Sequence, residues 1–215
     1  MRVLAAPLLA ALVAVALTPP PAAAASVALG GLVFTDELGG FVLVEGSGSG
    51  RLDDPFVLVE EIHDAGPAIL TIHGRTSAFG NRIGSQHDVG FALTKIVRNR
   101  SPHAWPVFDL ELRRFMEYES PLEDGLSFGQ DTDAGRPFWS DRYARVQEII
   151  EPFDAVVFSG GLVQPGETVV LSVVVTDAVP KPVFHIIQLR DSPVARAPST
   201  RRARLAAVAE RDRRP

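Results

Sequence analysis

Acidic residues between positions 131 and 141 have the types and spacing that could hold a calcium ion. Asp131 and Asp133 are two residues apart, Gly135 follows, and Asp141 lies further along the chain. Alternate carboxylate oxygens suit a hard cation, and glycine permits the bend that brings them together. The segment departs from an EF-hand loop, because Gly135 occupies the fifth position and Arg142 replaces the glutamate at position 12. We therefore predict an acidic turn, with calcium binding by Asp131, Asp133 and Asp141 as the alternative.

Two histidine–aspartate pairs could supply a general base and its orienting carboxylate. They are His63-Asp64 and His87-Asp88. Adjacent residues on a strand point to opposite faces, so neither pair forms a catalytic dyad by itself. We predict surface pairs at strand ends. The alternative is a hydrolase in which the fold gathers His87, Asp88 and Glu61 in one cleft.

The adjacent carboxylates Glu60 and Glu61 face opposite ways if they lie on a strand. We therefore expect at least one of the two side chains to be solvated.

Sequence motifs of the common catalytic classes are absent. The chain contains no Gly-x-Ser-x-Gly motif, cysteine, His-Glu-x-x-His motif, phosphate loop or dinucleotide fingerprint. The five histidines are scattered, so a zinc site would need ligands from distant loops. The sequence therefore predicts no catalytic residue, no cofactor and no metal site, and we predict that the protein is not an enzyme.

The two tryptophans distinguish a plain scaffold from a ligand-binding surface. Trp105 precedes Pro106, which favours extended backbone and places the indole ring at the start of a strand. We predict that Trp105 is buried in the core. An exposed Trp105 or Trp139 on a flat or concave sheet face would instead favour a calcium-assisted carbohydrate-binding module.

The elements that must position these residues have the patterns of β-strands. Alternating or continuous apolar runs are separated by glycine, proline and aspartate turns. The run after Pro106 alternates most clearly, and we expect the face with Asp109, Glu111 and Arg113 to be solvent-exposed. Residues 139–150 fit either a helical stripe or an extended edge, and extended chain is slightly favoured. The predicted strands are residues 27–34, 41–45, 56–62, 68–73, 89–97, 107–113, 153–158, 168–176 and 183–189.

Strands without intervening helices predict an all-β fold, a single antiparallel sandwich. The chain has 215 residues, of which 46% are hydrophobic and 22% charged. This composition excludes wholesale disorder and a multi-span membrane protein. Since the chain has no cysteine, we expect packing to stabilise the fold.

Both ends of the chain are predicted to lie outside the sandwich. Residues 1–25 have the basic start, apolar run and small residues of a secretory signal peptide, which predicts export. Residues 191–215 are arginine-rich, and we expect a disordered tail, leaving residues 26–190 as the folded domain. Between Arg2 and Arg190, 12 basic and 23 acidic residues give a net charge of −11. This acidic body argues against a nucleic-acid partner.

The segment Val-Arg-Asn-Arg-Ser at residues 97–101, followed by Trp105 and Phe108, resembles a strand–turn–strand pattern of exported bacterial β-sandwich proteins. Such proteins often carry a Pro-Glu-Pro C-terminal sorting signal. The similarity covers roughly residues 89–189. It implies an immunoglobulin-like sandwich of unassigned activity and transfers no catalytic residue. After Leu189 the sorting signal and its apolar span are missing, so we expect no C-terminal membrane anchor.

These observations predict an exported, non-catalytic structural or binding module of the cell envelope or extracellular space, located in the periplasm or outside the cell. The expected partner is an envelope polysaccharide or another exported protein. We expect no nucleic acid and no transmembrane segment after signal cleavage. The alternatives are the calcium-assisted carbohydrate-binding module and the hydrolase.

Overall fold

The computed structural model of the protein describes residues 24–74, 76–129 and 138–190, apart from the side chain of Leu122. These residues form β-strands and a short 3-10 helix, Leu122–Asp124, with no α-helix among them. The strands in chain order are β1 (Ser26–Leu29), β2 (Leu32–Thr35), β3 (Val42–Ser47), β4 (Phe56–Ile62), β5 (Ala68–His73), β6 (Val89–Asn99), β7 (Trp105–Arg113), β8 (Leu126–Phe128), β9 (Trp139–Ser140), β10 (Tyr143–Ile149), β11 (Ala155–Val163), β12 (Thr168–Asp177) and β13 (Val183–Leu189).

The strands form two sheets that pack face to face, which confirms the predicted all-β sandwich. The first sheet has seven strands in the order β1-β2-β5-β13-β7-β11-β10. The second has six strands, with the path β3-β4-β6-β12-β8 and β9 paired to β12. Predicted signal-peptide residues 1–23 and the predicted tail, residues 191–215, lie outside the described residues.

One strand pair departs from the predicted antiparallel arrangement. Strands β4 and β6 are parallel, with Phe56 opposite Leu93 and Ile62 opposite Asn99. Strand β5, which lies between them in the chain, belongs to the other sheet. The chain leaves the second sheet after β4, passes through β5 in the first sheet and returns as β6. Because the chain turns back once on each side of β5, β6 runs in the same direction as β4.

Apolar side chains from the two inner faces form one core between the sheets. The rings of Phe34 and Phe56, on opposite sheets, have centroids 5.4 Å apart, and those of Phe56 and Phe91, on neighbouring strands of one sheet, 5.8 Å apart. Each fully buried apolar side chain contributes about 2 kcal/mol to folding. The fully buried phenylalanines are Phe34, Phe56, Phe91, Phe108, Phe128, Phe158 and Phe184.

The prediction of a single strand over residues 27–34 is wrong. Gly30 and Gly31 have φ angles of 57° and 99° and reverse the chain between β1 and β2. A two-residue turn with both φ angles positive joins antiparallel strands with the right-handed twist of the sheet. The apolar run is therefore a hairpin.

The solvent-exposed face predicted for β7 is also wrong. Asp109, Glu111 and Arg113 are all buried, on the outer face of the seven-stranded sheet. In register with them on β13 are Leu189 and Ile187, which belong to a small apolar cluster with Ile69. Partly buried Leu38 and Met116 pack against that cluster. Chain outside the strands therefore covers this face, which strand alternation alone does not reveal.

Residues 139–150, for which the sequence slightly favoured extended chain, form β9 and β10. The edge strand β10 pairs with β11 in antiparallel register. Val146 of β10 and Ile150, which directly follows it, suggested a helical stripe and are exposed. The segment is extended because β11 offers its backbone groups to a further strand.

Candidate functional site

The predicted calcium residues are not brought together within the described part of the chain. Asp131 and Asp133 lie outside the described residues. The Asp141 side chain accepts a hydrogen bond from the Val170 amide over 2.8 Å, and so fixes the turn after β9 to β12. Over residues 24–74, 76–129 and 138–190, no three histidine or acidic side chains form a group that could hold a metal ion.

The structure separates the three residues of the hydrolase alternative. Glu61 lies opposite Arg98, near the end of β6, whereas His87 and Asp88 directly precede the first residue of β6. At about 3.3 Å per strand residue, this places Glu61 roughly 30 Å from the other two. Hydrogen bonds from Arg100 at 3.0 Å and Arg98 at 3.1 Å hold the pKa of the Glu61 carboxyl below its ordinary value. Glu61 is therefore an ionised surface partner of two arginines.

The pair His63-Asp64 lies at the surface just after β4, as predicted. The Asp64 carboxylate accepts a hydrogen bond from the Gly66 amide over 2.8 Å, which closes a turn. The His63 Nε2 atom is 3.8 Å from a Glu61 oxygen. In the pair His87-Asp88, the Asp88 side chain is exposed and the His87 side chain is half-buried.

Trp105 is buried in the core, and the prediction for this residue is confirmed. Its indole nitrogen donates to the Ser101 hydroxyl over 3.2 Å, and that hydroxyl donates to the Asn99 side-chain oxygen over 2.7 Å. The Asn99 side-chain nitrogen donates to the carbonyl oxygens of His103 and Val163. Residues 97–101, which carry the sequence resemblance, thus end β6 in a hydrogen-bonded turn.

Trp139 has the opposite environment, since 54% of its surface is exposed. It lies on the two-residue strand β9, where it is in register with Ser172 of β12. Strand β12 is the fourth of the five strands along the path of the six-stranded sheet, and β9 pairs beside it. This meets the condition that the sequence set for a carbohydrate-binding surface.

An open cleft of about 390 Å³ adjoins Trp139 on the outer face of the six-stranded sheet. Its floor includes Thr94 of β6 and Ser172 of β12, which are in register and whose hydroxyl oxygens are 3.2 Å apart. Leu52 and Pro55 line the side formed by the loop between β3 and β4. That loop is held beside β6, because the Ala92 amide donates to the Gly50 carbonyl over 2.9 Å.

The cleft contains no charged side chain among its described lining residues. Its volume lies within the usual range for small-ligand sites, which combine an apolar lining with a few polar groups. A ligand here meets the Trp139 side chain on one side and two hydroxyls on the floor. The arrangement suits a neutral ring with one apolar face and several hydroxyls.

Apart from the cleft, a cluster of polar side chains lies inside the sandwich. Glu60, Lys95 and Gln188 are fully buried there. The Lys95 amine donates to Glu60 Oε1, and the Gln188 amide nitrogen donates to Glu60 Oε2 over 2.8 Å. Glu60 therefore bridges an amine and a carboxamide. Of the adjacent pair Glu60 and Glu61, only Glu61 is in contact with solvent, as its half-buried side chain shows.

No protein-family model, curated protein or solved structure matches this chain. Among the described residues, no helix has the length and hydropathy needed to cross a bilayer.

Sequence reasoning missed the cleft floor and the buried polar group. Thr94 and Ser172 are 78 positions apart, and nothing in a single sequence shows that β6 pairs with β12. The buried group did leave a signal. Lys95 follows Phe91 and Leu93 at alternate positions, so the period of the strand places its amine on an apolar face.

Proposed function

We propose that this protein is an exported, non-catalytic β-sandwich module that binds carbohydrate in the cleft beside Trp139. The observation that carries the proposal is the exposed indole ring at the edge of a concave, uncharged region of the sheet. Large aromatic side chains are normally buried, and an exposed one beside a cleft provides a flat apolar surface for a ligand.

The chemistry of the cleft favours a neutral sugar over an anion or a metal-bound ligand. The C–H face of a pyranose ring packs on an indole face, while its hydroxyls exchange hydrogen bonds with Thr94 and Ser172. These two side chains can each donate and accept, so they tolerate different hydroxyl orientations. An acidic polysaccharide would find no cationic partner among the described lining residues.

A non-catalytic role is supported by the separation of the candidate acids and bases. Glu61 and the pair His87-Asp88 lie near opposite ends of β6, and Glu61 is held by arginines. General acid–base catalysis requires its groups within hydrogen-bond reach of one substrate. The cleft itself offers two hydroxyls and an indole, which are groups suited to binding.

Export and an immunoglobulin-like strand arrangement form part of the same proposal. The signal-peptide pattern of residues 1–25 supports export to the periplasm or beyond. A tryptophan buried between two packed, mainly antiparallel sheets is a feature of immunoglobulin-like sandwiches. Trp105 has this environment here. An envelope polysaccharide is then the fitting ligand source.

The test is a binding titration with neutral polysaccharides and their oligosaccharides, measured by calorimetry and tryptophan fluorescence. Trp105 is buried and Trp139 exposed, so a bound sugar should shift the long-wavelength part of the emission, which comes from Trp139. Replacing Trp139 by alanine should abolish binding. Replacing it by phenylalanine, which retains an aromatic face, should weaken binding less.

Tyr118→Ala is the matched control, because Tyr118 is also an exposed aromatic and does not line the cleft. It should leave sugar binding unchanged. Repeating the titration with chelator distinguishes a direct sugar site from the calcium-assisted alternative, which would lose affinity. Equal binding by the wild-type protein and Trp139→Ala, or no response to any neutral glycan, would contradict the proposal.

A further inference from the structure

Three strands each place one polar side chain among the apolar residues that face the core. Glu60 of β4 is in register with Leu43 and Val97, and Lys95 of β6 with Leu171, all of which belong to the main core. On the opposing sheet, Gln188 of β13 is in register with core residues Ala68 and Leu110. The three polar side chains therefore meet between the two sheets, away from water.

The Glu60 carboxylate holds the other two groups at its two oxygens. Lys95 Nζ donates to Oε1, and Gln188 Nε2 donates to Oε2 over 2.8 Å. The Gln188 side-chain oxygen is buried and has no hydrogen-bond partner within the described part of the chain. Buried polar atoms are rarely left without a partner, so this carboxamide calls for an explanation.

The surroundings also favour the reactive form of the amine. Burial lowers the pKa of Lys95, although the attraction of Glu60 acts in the other direction. Burial favours the uncharged amine, because a charged group is costly to keep in a low-dielectric site. An uncharged amine is a nucleophile, and here it lies next to the Glu60 side chain, which also contacts the carboxamide.

We propose that Lys95 and Gln188 become joined by an isopeptide bond formed inside the folded sandwich. Lys95 Nζ attacks Gln188 Cδ, the Nζ–Cδ bond forms, and the Cδ–Nε2 bond breaks. Glu60 donates its proton to Nε2, which leaves as ammonia, and takes a proton from Nζ. The products are a secondary amide, ammonia and a protonated Glu60, so no oxidant or cofactor is consumed.

The bond would join the centres of the two sheets. Lys95 lies on the third strand along the path of the six-stranded sheet, and Gln188 lies on the fourth strand of the seven-stranded sheet. Since the chain has no cysteine, it cannot use a disulfide for this purpose. A covalent link between distant positions restricts the unfolded chain as a disulfide does. It also requires no oxidising compartment.

Mass spectrometry of the folded, purified protein tests the proposal directly. The denatured wild-type chain should be lighter than its sequence by one ammonia. After trypsin digestion, the peptide that contains Lys95 and ends at Arg98 should be joined to the one that contains Gln188 and ends at Arg190. An unmodified mass, or separate peptides, would overturn the proposal and leave a non-covalent ion pair.

Two variants test the assigned roles. Lys95→Met removes the nucleophile, and Glu60→Gln keeps the shape while removing the proton-transferring acid, so each should have the full mass expected for its sequence. An ammonia deficit that persists in Lys95→Met would overturn the proposal. A cross-link that persists in Glu60→Gln would remove Glu60 from the reaction. If circular dichroism shows that a variant does not fold, the wild-type peptide map decides.

Discussion

The Tyr143 hydroxyl donates a hydrogen bond to the carbonyl oxygen of Trp105 over 2.9 Å, inside the sandwich. Tyr143 begins the edge strand β10, and Trp105 begins β7, which lies two strands away in the same sheet. Burial raises the pKa of the tyrosine hydroxyl, so it stays protonated and able to donate. The contact fastens an edge strand to the turn that positions the core tryptophan.

Replacing Tyr143 by phenylalanine should lower the free energy of unfolding by about 1–2 kcal/mol, because the ring remains while a buried carbonyl loses its donor. Urea unfolding followed by circular dichroism measures this change. Tyr118→Phe is the control, since that exposed residue should change stability by less than about 0.5 kcal/mol. Equal stability of Tyr143→Phe and the wild-type protein would show that the hydrogen bond contributes nothing.

The buried carboxyl of Asp154 should lower the free energy of unfolding as the pH rises. Burial raises the pKa of its carboxyl from 3.8 to about 7, against the effect of a hydrogen bond from the Ser127 hydroxyl at 3.0 Å. The folded state thus binds a proton that the unfolded state releases between these two pH values. Asp154 therefore makes its full contribution to the free energy of unfolding below pH 4, and this contribution is lost as the pH rises through about 7.

Asp154→Asn removes this titration while keeping an acceptor for Ser127. Between pH 4 and pH 8, the free energy of unfolding of the variant should rise relative to that of the wild-type protein by on the order of 3 kcal/mol. Urea unfolding of both proteins at several pH values measures the gain, and other titrating groups cancel in the difference. Parallel stability curves for the two proteins would contradict the pKa assignment.

Most of the strands could be predicted because the alternation of apolar residues is a local property. The bounds of β4, β5 and β13 match the predicted runs. The hairpin of β1 and β2 was missed because two small glycines interrupt neither the apolar content nor the length of the run. The turn depends on their positive φ angles, which other residues rarely adopt.

Contacts between distant segments could not be predicted. The cleft depends on the pairing of β6 with β12 and on the loop before β4, and one sequence does not show strand pairing. The buried faces of Asp109, Glu111 and Arg113 depend on chain that packs over a sheet from outside. By contrast, Trp105 was predicted correctly, since a proline neighbour and a strand start are local features.

The buried imidazole of His185 should lower the free energy of unfolding as the pH falls. Burial lowers the pKa of its imidazole from 6.5 to about 4. The unfolded state therefore binds a proton that the folded state excludes, so the contribution of His185 is present above pH 6.5 and is lost as the pH falls toward 4. The Thr71 hydroxyl oxygen is 3.1 Å from the imidazole Nδ1 atom and can partner a neutral side chain.

His185→Gln keeps a polar side chain near Thr71 and does not titrate. Between pH 7 and pH 4 the wild-type protein should lose about 3 kcal/mol more than the variant. Thermal unfolding at matched ionic strength across this range measures the difference. His63→Gln is the control, because His63 is exposed at the surface after β4 and is not among the groups that shift the pKa of His185. The same acid sensitivity in His185→Gln as in the wild-type protein would exclude this explanation.

Two adjacent glycines lie before β3, and replacing each by alanine distinguishes the energetic cost of backbone strain from that of a steric clash. Gly39 and Gly40 have φ angles of 79° and 83°, so alanine is strained at either position. A Cβ atom at Gly39 would meet open space, whereas one at Gly40 would lie 2.0 Å from the Pro67 carbonyl oxygen. The clash is with backbone, which cannot rotate away as a flexible side chain can.

Gly39→Ala should therefore lower the free energy of unfolding by about 1–2 kcal/mol, the usual cost of this backbone region for a residue with a Cβ atom. Gly40→Ala should cost clearly more, because the loops before β3 and before β5 must also move apart. Urea unfolding of the two variants and the wild-type protein measures both effects. Equal costs for the two substitutions would mean that the approach of Gly40 to Pro67 does not constrain the fold.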